Sequence, residues 1–190
     1  MAKVNRLEGF MACSLKYVIF RSRWGWFGLL GGERGLLRTS LPIADRDKAK
    51  RLLLKGIAAA SYDGRIFSEL QDKIKAYFEG DCVDFADVSV ELDGLSGFSK
   101  DVLIVCRGVE YGRTVSYGRL AELAHRPGPA SSCDYAATGA GRAVGNVLAK
   151  NPVPLIIPCH RVIRKDGKIG GFSAGGGAKM KRRMLELESF

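Results

Sequence analysis

The residues best suited to chemistry sit near the C-terminal end of the chain. Residues 151–163 read NPVPLIIPCHRVI, with Cys159 and His160 side by side after an apolar run set off by Pro152, Pro154 and Pro158. A thiolate is a strong nucleophile, but an unassisted cysteine is only about a few per cent ionised near neutral pH. An imidazole that takes the proton, directly or through a water, removes that limit. On a straight strand neighbouring side chains point to opposite faces, so Cys159 and His160 cannot pair there. Pro158 favours a bend at this point, which would swing His160 near the sulfur or leave room for a bridging water. The plainer alternative is a buried cysteine beside a structural histidine.

Other chemistry is sparse. The five cysteines are Cys13, Cys82, Cys106, Cys133 and Cys159, and the two histidines are His125 and His160. An odd cysteine count without a CxxC pair is neither a disulfide framework nor a zinc knuckle, so no metal site is expected. Cys106, in the run VLIVC, is expected to pack in the core. Lysine and arginine number 30 against 20 acidic residues, a formal net charge of +10. That excess favours a polyanionic partner such as nucleic acid. Two basic runs, RKDGK (164–168) and KMKRR (179–183), follow the cysteine closely. No apolar stretch approaches the ~18–20 residues of a membrane span. The N-terminus lacks the apolar core and cleavage site of a secretion signal, so an intracellular protein is expected.

The elements that must position Cys159 fall into two parts. In the first, LKYVIF and GLLRTSL read as strands, with the aromatic, Gly-rich RWGWFGLLGG between or beside them. Trp24, Trp26 and Phe27 are expected to pack rather than stack on bases. A helix is expected over RDKAKRLLLKGIAAA after an Asp45 cap. A second is expected over IFSELQDKIKAYFEG, where Ile66, Leu70, Ile74 and Phe78 recur every four residues until Gly80. DVSVELD reads as a short strand, and GLSG (94–97) as a linker. The domains expected are therefore 1–95, α/β, and 96–190, mainly helical.

In the second part, Phe98, Val102, Val105 and Val109 are expected along one helix face. SYGRLAELA should begin at a Ser116 cap and turn Leu120 and Leu123 inward. A polar stretch, 126–139, reads as an exposed loop containing Cys133. AGRAVGNVLAKN then gives a helix with Val144, Val147 and Leu148 inward, stopped at Asn151-Pro152. Two short helices joined by a turn suggest a helix-turn-helix.

The longer string around the thiol resembles the active-site segment of the O6-alkylguanine-DNA alkyltransferases, the methylated-DNA–protein-cysteine methyltransferases, whose signature is PCHR. The likeness extends through TVSYGRLA, GRAVGNVLAKNP, DGKIGGF and KRRMLELE, in order, across residues 75–188. It implies a ribonuclease-H-like α/β N-terminal domain and a mainly α C-terminal domain with a helix-turn-helix. It also implies irreversible, single-turnover transfer of an alkyl group from O6-alkylguanine in double-stranded DNA to Cys159. The implied protein is a monomer that needs no cofactor and is cytoplasmic in a prokaryote or nuclear in a eukaryote.

Residue roles follow from the same resemblance. Cys159 is the nucleophile, and His160 relays its proton through a water. Glu188 orients and polarises His160, and Asn151 braces the turn that carries the thiol. Tyr117 hydrogen-bonds the flipped guanine, while Ser173 and the backbone around Val162 meet its edge. Arg142, flanked by Ala143 and Gly145 on the DNA-facing helix, fills the gap left in the stack, as base flipping requires. Two departures stand out. Phe172 occupies a pocket-wall position where a tyrosine is common, and 126–139 lengthens the turn between the DNA-binding helices. A lesion-binding relative without repair activity is disfavoured because Cys159 is present. A Cys-His hydrolase is disfavoured because its histidine faces the thiol from elsewhere in the fold and is held by a third group.

Overall fold

The computed structural model describes residues 14–124 and 140–189. The expected loop at 126–139 with Cys133, together with Cys13 and His125, lies outside the described residues.

Strands β1 (Lys16–Ser22), β2 (Gly25–Gly32) and β3 (Gly35–Ile43) form an antiparallel meander, and the two-residue β4 (Ser61–Tyr62) adds in parallel to β1. The sheet order is β3-β2-β1-β4. The Gly-rich stretch that was placed between or beside two strands is thus a strand between them, and Phe27, Leu29 and Leu30 on it are fully buried. Trp24 and Trp26 pack against the two apolar clusters that flank the sheet, as expected of them.

Helix α1 (Arg46–Leu53) starts where Asp45 Oδ1 accepts the Lys48 amide. It ends seven residues before the alanine run does, because Gly56 turns the chain at φ +75° and Arg38 Nη1 takes the carbonyls of Leu53 and Lys55. Helix α2 (Ser68–Glu79) buries Leu70, Ile74, Tyr77 and Phe78 and stops at Gly80 in the left-handed region. Ile66 precedes this helix instead of belonging to it, since Phe67 is itself left-handed at φ +55°.

DVSVELD does not form a strand. Only Val90 bridges to Leu36, through Leu36 N to Ser89 O and Glu91 N to Leu36 O, both 2.8 Å. The preceding carbonyls of Phe85, Ala86 and Val88 are gathered by the Arg107 guanidinium instead of a neighbouring strand. Gly35 makes the close approach feasible: a Cβ there would lie 2.6 Å from Ser89 O.

Helix α3 (Gly97–Arg107) is capped by Ser96, whose hydroxyl accepts the Ser99 amide. Its buried face is Val102, Leu103 and Cys106, so Phe98 and Val109 are not the inward set that was expected. Cys106 is fully buried, as expected of a packing residue. Helix α4 (Tyr117–Ala124) follows Ser116, whose Oγ accepts the Arg119 amide. Leu120, Ala121 and Ala124 face inward, while Leu123, which was expected beside Leu120, stays half exposed because the face that meets the core runs through 120, 121 and 124. Helix α5 (Ala140–Leu148) buries Val144 and Leu148 and packs against α3 and α4.

Beyond α5, β6 (Val162–Ile163) pairs in parallel with β5 (Val115–Ser116), tying the cysteine segment to the start of α4. Helix α6 (Gly177–Glu188) closes the described chain. The apolar core crosses the expected boundary near 95, because Phe27, Ile74, Val102 and Ile157 share one cluster. No described helix is long and apolar enough to cross a membrane.

Candidate active site

Asn151 follows directly on α5 and holds the cysteine segment in a closed loop. Its Nδ2 donates to Ile157 O at 2.8 Å and lies 3.2 Å from Cys159 Sγ, while its Oδ1 accepts the Val153 amide. The loop has a left-handed, non-glycine residue at Leu155, φ +81°. Strand β3 braces it from the other side: Thr39 Oγ1 donates to Pro154 O at 2.8 Å, and Thr39 N to Pro152 O at 3.0 Å. The prolines and the apolar run thus hold a rigid, buried loop around the thiol.

At its end the chain bends, as Pro158 suggested, into a single 3-10 turn, Cys159–Arg161. The turn sends the two side chains in different directions. Cys159 reaches the floor of a cleft, and His160 is fully buried behind it. Burial pushes the thiol above its ordinary pKa, opposed by the Asn151 amide and the charge of Lys181. The resting sulfur is therefore a thiol that ionises when its proton is taken.

His160 is built to take a proton. Its Nε2 is 2.7 Å from Glu188 Oε1. A carboxylate only accepts, so Nε2 carries the hydrogen and Nδ1 presents its lone pair. Nδ1 is buried and has no hydrogen-bond partner among the described residues. Burial lowers the imidazole pKa, and Glu188 works in the opposite direction. Glu188 also accepts from Arg161 Nε at 2.9 Å, Arg161 Nη2 at 3.1 Å, Gly112 N at 3.3 Å and Tyr77 Oη at 2.7 Å. Burial alone would raise the pKa of this carboxylate, but its bonds to His160 and Arg161 outweigh that and hold it at about 2.

The cleft has a volume of ≈ 880 Å³. Its walls are Tyr117, Leu148, Phe172 and the glycines at 170 and 171, with Ser173 at the edge and Arg142, Arg164 and Lys165 around it. A Cβ at Gly170 would press to 3.3 Å from the Tyr117 ring, so glycine keeps the wall open. Tyr117 Oη lies 3.5 Å from Gly171 O and 3.4 Å from Lys181 Nζ. Burial raises the Tyr117 pKa, so the phenol keeps its proton. Ser173 Oγ donates to Ala149 O at 2.6 Å.

Cys159, Tyr117, Phe172, Ser173, Arg142 and Gly145 therefore line one cleft, and His160, Asn151 and Glu188 stand behind its floor. Val162 and Ala143 do not line it. The Val162 carbonyl accepts Lys181 Nζ at 2.6 Å. No group of three or more metal-ligating side chains occurs among the described residues.

Sequence reading missed four members of this arrangement: Tyr77, Gly112, Arg161 and Lys181. A signal for Lys181 was present. Lys181, Met184 and Glu188 recur at helical spacing and are all buried, so two charges lie on the apolar face of α6. Arg161 adjoins His160 in the PCHR string, but Tyr77 and Gly112 reach Glu188 only through the fold.

Residues 97–190 match a model of the 6-O-methylguanine DNA methyltransferase DNA-binding domain. The methylated-DNA–protein-cysteine methyltransferase of Methanothermobacter thermautotrophicus is 38% identical over 141 residues, 72% of this chain and 71% of that protein. The crystal structure of Mycobacterium tuberculosis O6-methylguanine methyltransferase superposes with a TM-score of 0.68 at 32% identity, covering 92% of each chain. A structure described as Mycobacterium tuberculosis OGT in complex with DNA gives 0.70 at 33% identity, covering 91% of this chain and 92% of that one. These likenesses span both halves of the sequence and meet a cleft whose floor is a cysteine backed by a histidine and a glutamate. The chain belongs to the methylated-DNA–protein-cysteine methyltransferase family.

Proposed function

We propose that this chain repairs alkylated double-stranded DNA by moving the alkyl group of an O6-alkylguanine onto Cys159 Sγ, once per molecule. The S–C bond forms as the C–O6 bond breaks. The thiol proton passes, through a water, to Nδ1 of His160, whose Nε2–H stays on Glu188. Tyr117 Oη donates a hydrogen bond toward the departing base, which takes a proton from water and leaves as guanine. The proton on His160 then returns to solvent, so that none is gained or lost overall. The thioether has no leaving group to shed, so the protein is both reagent and catalyst. No cofactor takes part.

A base inside a duplex cannot reach a buried thiol, so the nucleotide must be extruded into the cleft. Arg142, exposed on α5 at the cleft mouth, is assigned to the vacated place in the stack, with Ala143 and Gly145 facing the backbone on the same helix. Ser173 and the backbone at Val162 are assigned to the guanine edge, and Phe172 packs on its face without a hydroxyl. The packing of α4 on α5 supports reading them as a helix-turn-helix. The sheet order and the parallel β4 support a ribonuclease-H-like plan for domain 1–95, with 96–190 as the DNA-binding and transfer domain. The protein acts as a monomer wherever the DNA is, in the cytoplasm of a prokaryote or the nucleus of a eukaryote.

The observation that carries this reading is the pairing of a cleft-floor thiol with a buried imidazole whose Nδ1 is free and whose Nε2 is held by Glu188. Intact mass after mixing with duplex O6-methylguanine tests it. One added methyl, mapped to the Cys159 peptide and saturating at one equivalent, is expected. Continuous turnover, or no adduct on that peptide, contradicts it.

A further inference from the structure

Helix α2 belongs to the part of the chain that carries none of the residues assigned above. Yet its Tyr77, fully buried, points its hydroxyl across the core to Glu188 Oε1 at 2.7 Å. That oxygen is the one His160 Nε2 also meets at 2.7 Å. The contact is built from both sides. Tyr77 is fixed by edge-on packing against Phe78 and Tyr111, with ring centroids 5.1 and 6.1 Å apart. Tyr111 Oη in turn donates to Leu187 O, seating the last turn of α6.

We infer that Tyr77 is a positioning residue for the transfer step, through which the N-terminal part of the chain sets how strongly Glu188 holds His160. This rests on the proton relay proposed above. A buried phenol could satisfy itself on any acceptor; here it shares one oxygen with the relay. Each donor to a carboxylate oxygen draws charge from it and weakens its hold on the others. With Tyr77 in place, Glu188 orients the Nε2–H without binding the protonated ring so tightly that His160 stays charged. Burial keeps the Tyr77 phenol protonated throughout, so it is always the donor.

The groups facing this carboxylate are Tyr77 from α2, Tyr111 and the Gly112 amide after α3, and His160 and Arg161 from the turn. On α6 itself, Lys181 is the other charge acting on His160. Among the described residues, only Tyr77 and Arg161 share Oε1 with the imidazole. Removing the Tyr77 hydroxyl therefore leaves a more basic Oε1, a more basic His160, and a base that is disabled at higher pH.

Tyr77→Phe in the full chain tests this with two readouts. The first is the pH profile of the single-turnover rate on duplex O6-methylguanine. The second is the imidazole NMR signal of His160 in ¹⁵N-histidine protein, simple to assign because the chain has 2 histidines. The acidic limb and the His160 midpoint should both rise by roughly half a pH unit or more. If the ring stays neutral until the protein unfolds in acid, its ¹⁵N shifts at neutral pH should change instead. An unchanged limb with unchanged shifts overturns the inference, whatever happens to thermal stability. If the Phe variant does not fold, 3-fluorotyrosine at 77 keeps ring and hydroxyl but donates more strongly. Limb and midpoint should then fall, and unmoved values overturn the inference equally. Wild-type protein that takes no methyl on Cys159 would count against the transfer reading alone, because the NMR comparison needs no substrate.

Discussion

The Asn151 amide and the Cys159 sulfur are 3.2 Å apart, and the same Nδ2 reaches the Ile157 carbonyl at 2.8 Å. One side chain thus closes the loop and presents a donor to the sulfur. As the thiol ionises that contact becomes charge-assisted and strengthens, so it favours the reacting state over the resting one. Asn151→Ala should slow single-turnover transfer by about 10- to 100-fold, the range of a lost hydrogen bond to a charged group. It should also lower the thermal midpoint, because the Val153 amide loses its partner too. A rate within twofold of wild type on free O6-methylguanine would show that the amide only closes the loop.

Cys159→Ser should abolish transfer and leave DNA affinity nearly unchanged. A hydroxyl at neutral pH is a far poorer nucleophile, and the basic rim of Arg142, Arg164 and Lys165 is untouched. Affinity of the variant should fall steeply with salt and vary little with sequence, as phosphate contacts dictate. Filter binding across a salt series checks both points. Methyl transfer by the serine protein, or a flat salt response, would contradict the assignment.

Arg142→Ala should slow repair of duplex DNA about tenfold or more while leaving reaction with the free alkylated base close to wild type. A free base leaves no gap in a stack to be filled. Parallel single-turnover rates on the two substrates decide it. Equal losses would place Arg142 in the chemistry of the cleft or in its folding.

How legible all this was depends on the range of the interaction. The capping residues Asp45, Ser116 and Gly80 act within one turn of their own helices, and each does what its type and position implied. The inward face of α3 depended on which neighbours covered it: of the expected Phe98, Val102, Val105 and Val109, Val102 is fully buried and Val105 partly so, Phe98 stays exposed, and Leu103 and Cys106 complete the buried face. DVSVELD has strand alternation but meets only one residue of β3, so its pattern found no ladder. Cys159 and His160 were visible as a pair, and the proline signalled the bend. That His160 Nε2 meets a carboxylate 28 positions later depends on where α6 docks. Tyr77, 111 positions from Glu188, could not be paired with it by any local pattern.

The buried carboxylate also predicts how the protein meets acid. Glu188 titrates at about 2 in the folded chain against an ordinary 4.5. The unfolded chain therefore binds its proton first, and stability rises with pH between those values. The contribution is complete above about pH 5, is on the order of 3 kcal/mol, and is lost as pH falls through about 2. His160 adds to the same trend. Burial holds its pKa below the usual 6.5, so the unfolded chain again takes up the proton first. Urea midpoints should thus fall from pH 7 to pH 3. Glu188→Gln should already cost about 3–5 kcal/mol at pH 7, because Arg161 is left buried without its counter-charge. From pH 5 to pH 3 its midpoint should then decline less than that of wild type, the carboxylate that linked folding to protons being gone. Parallel declines in the two proteins would mean that other carboxylates govern acid unfolding and that Glu188 is not held ionised as its partners imply.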